Sequence, residues 1–267
     1  ECNGKLEYKV KLGTIMDKLI YTAFQSINNA LDNKAIRSQN LSSTNTPGFR
    51  ADMSLGSAGS GYLEQFDTLY SRAFPLIEDR SGFITSPGQN RETGQDLDLA
   101  IRGDGFFMAQ KEGAPPFLTR RGDMQINNDN ILTNAANEII LSNELTPIII
   151  PPHRKMIISE DGNISIEPLN SPPGTIAQVG TIGLTLGGEE PLVKSNDGKI
   201  RTKNGGIPAA DQQVRLVQGY IEESNVNIIE QLVGSIEEQR RYEVNVKMIK
   251  SAEAIDQSGS SLLRLPS

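Results

Sequence analysis

The stretch ESNVNIIEQLVGSIEEQRRYEVNVKMIKSAEAIDQSGSSLLRL, residues 223–265, decides how this chain is read. One face recurs along it in steps of three and four: Ile229, Val233, Ile236, Arg240, Val244, Met248, Ser251, Ile255, Ser258 and Leu262. That is the spacing of a single helix face. Ser224 or Asn225 can act as the N-cap. Glu222, Glu223, Glu230, Glu237 and Glu238 crowd the early turns, where the helix dipole favours acids. No proline interrupts the run. At 1.5 Å per residue a helix over 225–265 is roughly 60 Å long. A narrow apolar stripe on so long a helix is of the coiled-coil kind and requires a partner.

The other end of the chain offers one. In MDKLIYTAFQSINNALDNKAIRSQNL, residues 16–41, the apolar positions are Ile20, Phe24, Ile27, Leu31 and Leu41, with Ala23, Ala30 and Ala35 widening the stripe. The pattern predicts a helix from Asp17 to about Thr44, stopped by Pro47 and Gly48. The simplest arrangement pairs the two terminal helices with each other. Ser38, Ser42, Ser43, Gly234, Ser251 and Ala252 then remain as small residues that suit close packing against further helices. Two helices of an ordinary monomer core are the plainer alternative. Helix length, the narrow stripe and an aromatic content of only 5% without Trp favour assembly instead.

Between the helices the texture changes. Residues 49–95 hold GSAGSG and TSPGQNRETG without a sustained period and read as an extended arm or linker. From residue 96 to 220, short apolar runs (GFFMA, IILS, PIIIP, MIIS, ISIE, VRLVQGYI) alternate with turn signals (NNDN, EDGN, SNDG, KNGG). Many short strands with Asn/Asp/Gly punctuation predict an all-β domain, sandwich-like or barrel-like. The expected fold class is therefore α+β: terminal helices over 16–48 and 221–267, an arm and a β-domain, with residues 1–15 as an extension or cloning remnant.

Composition excludes several function classes. The chain has 267 residues and a net charge of −7, with its cations dispersed, which opposes binding to nucleic acid or anionic membrane. No run approaches the ~20 apolar residues that span a bilayer, so no membrane insertion is expected. One Cys and one His cannot form a His/Cys zinc site. No metal or cofactor is expected.

Four motifs carry a resemblance. MDKLIYTAF followed by NLSSTNTPGFRADM resembles the N-terminus of bacterial flagellar rod and hook proteins. LDLAIRGDGFF, LTRRGDMQINNDNILTN and EESNVN are similar to their L-D-x-x-I-x-G-x-G-F-F, T-R-x-G and E-G-S-N-V-N signatures, in the same order. The sequence is identified as a member of the flagellar basal-body rod protein family, and its opening is most similar to the proximal rod branch. The departures are specific: SQNLSS stands for the usual A-N-N-L-A-N, Glu223 for the usual Gly, and Asp129-Asn130 for the N-G turn. Asn tolerates the left-handed geometry that the last of these needs.

The resemblance implies a fold and a role. The two helices would pair as a coiled coil lining a hollow axial tube, the arm would fix neighbouring subunits and the β-domain would lie outside. The implied partners are other copies of the chain, neighbouring proximal and distal rod proteins, and the flagellar type III export apparatus. The implied location is the periplasm-spanning rod of the basal body, reached without a cleaved signal peptide. The expected assembly interface comprises Ile20, Phe24, Ile27, Leu31, Asn40 and Leu41 with Asn225, Val226, Ile229, Val233, Ile236, Val244, Met248, Ile255 and Leu262. A distal rod or hook-like subunit is the alternative within the family.

A hydrolase with a β-domain active site is the alternative outside it. His153 has no partnered nucleophile and no G-x-S-x-G is present, so no catalytic residue is expected and His153 reads as a surface-loop residue. The two RGD triplets, at Arg102–Asp104 and Arg121–Asp123, read as turns beside strands.

Overall fold

The computed structural model describes residues 23–53, 82–188, 190–195 and 197–262. It divides into two compact units: residues 1–39, 53–80 and 228–267 in the first, residues 40–52 and 81–227 in the second. Ile20, residues 1–15 and residues 54–81 of the expected arm lie outside the described residues.

Among its described residues the first unit contributes two helices. Helix α1 covers residues 23–42 of what is described, and α2 runs Ile228–Leu262. No helix among the described residues is long and apolar enough to cross a membrane. Beyond α1 the chain leaves through overlapping turns in which Ser43 and Thr44 donate their backbone N–H groups to the carbonyls of Asn40 and Leu41. They end at Gly48, whose φ of +64° is left-handed. A Cβ there would lie 2.3 Å from the carbonyl carbon of Arg120, so only glycine fits.

Apart from the last turn of α1 and the turns after it, the described residues of the second unit form strands and their connections. Its strands are β1 (Asn90–Glu92), β2 (Leu99–Arg102), β3 (Phe106–Gln110), β4 (Phe117–Thr119), β5 (Met124–Ile126), β6 (Leu132–Asn134), β7 (Ile139–Ile140) and β8 (His153–Ile158). The series continues with β9 (Asn163–Pro168), β10 (Ala177–Thr181), β11 (Leu184–Thr185), β12 (Leu192–Lys194), β13 (Ile200–Thr202), β14 (Arg215–Gln218) and β15 (Tyr220–Glu222). The main sheet has the order β12-β13-β4-β3-β7-β6-β5, with β11 also on β3. A three-stranded sheet β10-β9-β8 and the pairs β14-β2 and β1-β15 complete the unit. Among the described residues the strand pairings are antiparallel, and sequence neighbours such as β3–β4, β5–β6, β8–β9 and β9–β10 are joined by the short connections that antiparallel pairing allows. The turn at Asp129-Asn130 takes the left-handed geometry expected of it, with Asn130 at φ 59°.

The core follows from alternation on β3. Phe107 and Ala109 face one buried cluster with Leu99, Ile101, Phe117, Leu132 and Ile164. Phe106 and Met108 face a second with Phe83, Leu118, Leu141 and Ile200. Both faces of β3 are covered, which is why its sequence reads as an unbroken apolar run rather than an alternating one. The pairing of β1 with β15 brings residues 90–92 beside 220–222.

Candidate functional site

The helix pair is the first place to look for an assembly surface. Asn245 donates to the Ser26 hydroxyl at 2.8 Å, Asn33 donates to Glu238 at 3.5 Å and Lys34 donates to Gln239 at 3.4 Å. The Arg37 guanidinium lies 4.0 Å from Glu238 and passes across the backbone of Gly234. Positions rise along α1 as they fall along α2, so the two helices lie antiparallel.

The seam between them is small and polar. On α1 the residues turned inward are Ala23, Ser26, Ala30, Asn33 and Arg37, in steps of three and four. On α2 the buried residues are Gln231, Gly234, Glu238, Asn245 and Ala252.

This differs from the expectation that the two apolar stripes pair with each other. Ile229 is 74% exposed, Ile236 57% and Ile255 59%. Val233, Val244 and Met248 on α2, and Phe24 and Leu31 on α1, are also exposed. The physical reason is rotational. Gln231 and Glu238 follow Ile229 and Ile236 by two residues, which is about 200° around a helix. The apolar stripe therefore lies across α2 from the seam. Leu232, 50% exposed, extends the same apolar surface and was not anticipated from the repeat. Ile27 and Leu41 are half-buried, as is Val226. Leu262 is the last residue of α2, and its side chain lies outside the described residues.

A second cluster lies within the β unit, where three of the quoted motifs converge. Gly48 donates its N–H to the carbonyl of Glu222 at 2.8 Å. The Glu222 carboxylate then meets two guanidinia. Its Oε1 accepts from Arg50 Nη1 at 2.8 Å and from the Gly88 N–H at 3.0 Å. Its Oε2 lies 3.1 Å from Arg120 Nη1, an ion pair whose angle falls outside hydrogen-bond geometry. All three charged side chains are 1% exposed. Arg50 also donates to the Ser86 carbonyl at 2.7 Å, and Arg120 to the carbonyls of Ile101 and Gly103. The Arg120 guanidinium sits 5.6 Å from the ring centroid of Phe106.

Burial pulls the pKa of Arg120 down to about 10 and lowers that of Arg50, while Glu222 draws both back up. At neutral pH both remain cations. The signal for this cluster was present in TNTPGFR, LTRRGD and EESNVN, but nothing in one dimension tells which charged residues of three distant motifs will meet.

Asn40 and Asn225 use their side-chain amides inside the chain. Asn40 donates to the Asp52 carbonyl at 3.0 Å and accepts from the Asp52 N–H at 2.9 Å. Asn225 accepts from the Ala51 N–H at 2.7 Å and donates to the carbonyls of Ile84 and Ser86 at 3.0 and 2.9 Å. Both pin the segment after α1.

The residues with a possible chemical reading are also occupied. In the second RGD triplet, Arg121 and Asp123 bind each other through two contacts of 2.7 and 2.8 Å. The Asp123 carboxylate raises the pKa of Arg121 by hydrogen bonding. His153 opens β8 rather than sitting in a loop, and its Nδ1 lies 3.0 Å from the Pro151 carbonyl. Among the described residues there is no group of three His, Cys, Asp or Glu placed to hold a metal.

Comparison with known proteins places two regions of the chain in named families. Residues 100–166 match the flagellar hook protein FlgE/F/G D1 domain, and residues 217–262 match the flagellar basal body rod FlgEFG protein C-terminal region. The chain is 31% identical to the flagellar basal-body rod protein FlgF of Salmonella typhimurium over 94% of this chain and 100% of that protein. It is 30% identical to FlgF of Escherichia coli over 89% of this chain and 95% of that one. It is 33% identical to the rod protein FlgG of Buchnera aphidicola subsp. Schizaphis graminum, over 67% of this chain and 70% of that protein.

Proposed function

Since the chain belongs to the flagellar basal-body rod protein family, we propose that it is a structural subunit of the proximal rod that polymerises through its terminal helices. Polymerisation is the whole mechanism. The observation that carries this reading is the apolar stripe of α2, exposed at Ile229, Val233, Ile236, Val244 and Ile255 while the facing seam is small and polar. A surface of that length and character is what a subunit presents to other helices. The antiparallel pair of α1 and α2 acts as one coiled-coil element. Its polar contacts set orientation and register, and its apolar outer face meets neighbouring subunits.

The partners are other copies of the chain and adjoining proximal and distal rod proteins. The flagellar type III export apparatus delivers the subunit to the periplasm-spanning part of the basal body. Phe24 and Leu31 of α1 are also exposed and offer apolar side chains to neighbours, and Ile20 and Leu262 continue the two apolar repeats in sequence. Asn40 and Asn225 serve assembly indirectly, by fixing the segment that follows α1.

Replacing Ile255 by Asp tests the reading. Basal bodies isolated from a strain carrying only that variant are expected to lack a complete rod in electron micrographs. Intact rods of normal length would remove the helix surface from the mechanism. Locating the tagged protein along the rod distinguishes a proximal subunit from a distal or hook-like one.

A further inference from the structure

We propose that Lys199, Asn134 and Glu138 form a self-modification site, in which the Lys199 amine and the Asn134 side chain join in an amide bond once the β unit has folded. All three come from the main sheet: Asn134 closes β6, Glu138 precedes β7 and Lys199 precedes β13. The Glu138 carboxylate, 6% exposed, touches both partners. Its Oε1 accepts from Lys199 Nζ, and its Oε2 accepts from Asn134 Nδ2 at 2.6 Å. The two oxygens of a carboxylate share one carbon, so amine and amide are held at the two ends of one small group.

The surroundings prepare the electrophile. Asn134 Oδ1 accepts the backbone N–H groups of Ala136 and Glu138, both at 3.0 Å. Two fixed donors on a carbonyl oxygen polarise it and stabilise the charge that gathers there when a nucleophile adds. Those two bonds also make an ordinary side-chain turn, but such a turn needs neither a carboxylate on Nδ2 nor a lysine on that carboxylate. Asn134 is fully buried, which keeps water from competing for its carbonyl carbon. Lys199 Nζ lies 4.6 Å from the ring centroid of Phe117. The Lys199 backbone is fixed as well: its N–H donates to Asp197 at 3.0 Å and its carbonyl accepts from Ser195 at 2.8 Å. A cavity of about 130 Å³ borders Glu138 and Lys199 and gives a small leaving molecule room to depart.

The step balances without a co-reactant. Glu138 Oε1 takes a proton from the Lys199 ammonium. The freed Nζ lone pair forms a bond to Asn134 Cγ, and the carbonyl π electrons move onto Oδ1. Glu138 then passes its proton through Oε2 to Nδ2. The carbonyl reforms, the Cγ–Nδ2 bond breaks, and ammonia leaves, taking the surplus proton of the new amide nitrogen as ammonium. Glu138 ends as the carboxylate it began as, so it is a catalytic residue here. The bond closes a covalent loop from residue 134 to residue 199, which constrains the unfolded chain and stabilises the β unit. It forms whether or not the subunit assembles.

Intact-mass spectrometry of the purified full chain, held at neutral pH until its mass stops changing, tests this. The expected product is lighter by one ammonia, and proteolysis releases a branched peptide that joins the segments around residues 134 and 199. Tm should rise with the converted fraction. Glu138→Gln keeps the amine and the amide and should slow conversion at least about a hundredfold. Lys199→Arg keeps the cation but removes the nucleophile, and should give no branched peptide. Succinimide formation at Asn204-Gly205 also releases ammonia, but it would persist in Lys199→Arg and leaves the peptides unbranched. If a variant does not fold, the branched peptide in the unsubstituted chain decides alone. A folded parent chain without that peptide, or a folded Glu138→Gln variant that links as fast as the parent, would overturn the proposal.

Discussion

Replacing Ile236 by Asp separates an outward assembly face from an inward core face. Ile236 is 57% exposed on α2, across the helix from the polar seam. Fully burying an isoleucine side chain stabilises by about 1.5–3 kcal/mol. The exposed part of Ile236 therefore offers roughly 1–1.5 kcal/mol when a neighbour covers it. Aspartate forfeits that gain and brings a carboxylate whose burial without a partner costs several kcal/mol. The combined loss at each contact exceeds about 3 kcal/mol, more than a hundredfold in association.

In the isolated subunit the same change is a surface substitution, worth within about 0.5 kcal/mol. The expected result is thus a split. Urea unfolding and circular dichroism of the purified variant match the parent, while rod counts and swimming collapse. Glu253→Ala, also exposed on α2, is expected to leave both unchanged. Normal rods from Ile236→Asp would refute the reasoning. So would a large loss of helix in the isolated variant, which would place Ile236 in an internal core.

Other outcomes follow from the same contacts. Gly48→Ala forces a left-handed residue to carry a Cβ that meets the Arg120 carbonyl at 2.3 Å, and should lower β-unit stability by about 2 kcal/mol or more in urea unfolding. Glu222→Gln leaves two buried guanidinia without a counter-charge, and should cost about 3–5 kcal/mol by the same measurement. Replacing Ser26 by Ala together with Asn245 by Leu removes both partners of one seam hydrogen bond. The pair should keep or gain helical stability, because no donor is left unmet. Rod yield should fall, because a polar contact that sets register has gone. Rod yield equal to the parent's would show that this contact does not guide assembly.

Much of the architecture can be read from the residues in order. The long helix after Asn225 follows from three-and-four spacing without a proline, and α2 begins at Ile228 accordingly. The β middle follows from apolar runs punctuated by Asn, Asp and Gly. Asn130 adopts the left-handed turn that its place in the N-G position demands. The family motifs are local strings, and a local string survives in one dimension.

The lateral arrangement cannot be read that way. Periodicity marks Ile229, Val233 and Ile236 as one face of α2 but says nothing about what covers it. Burial of apolar residues is also a one-way rule, since much of a folded surface remains apolar. The inward face belongs to Gln231, Glu238, Asn245 and Ala252, spaced by seven, and a hydrophobic filter passes over all but the last.

The meeting of Arg50, Arg120 and Glu222 is the same problem at longer range. Each charge alone is unremarkable in its motif, and only the packing of the Gly48 turn against β15 and the end of β4 brings them within ion-pair distance. The chain's own sequence thus determined which segments are helix, strand and turn, because those preferences act over a few residues. Tertiary structure decided which side of a helix is inside and which distant charges share one site, because both depend on atoms that sequence separation does not bring together.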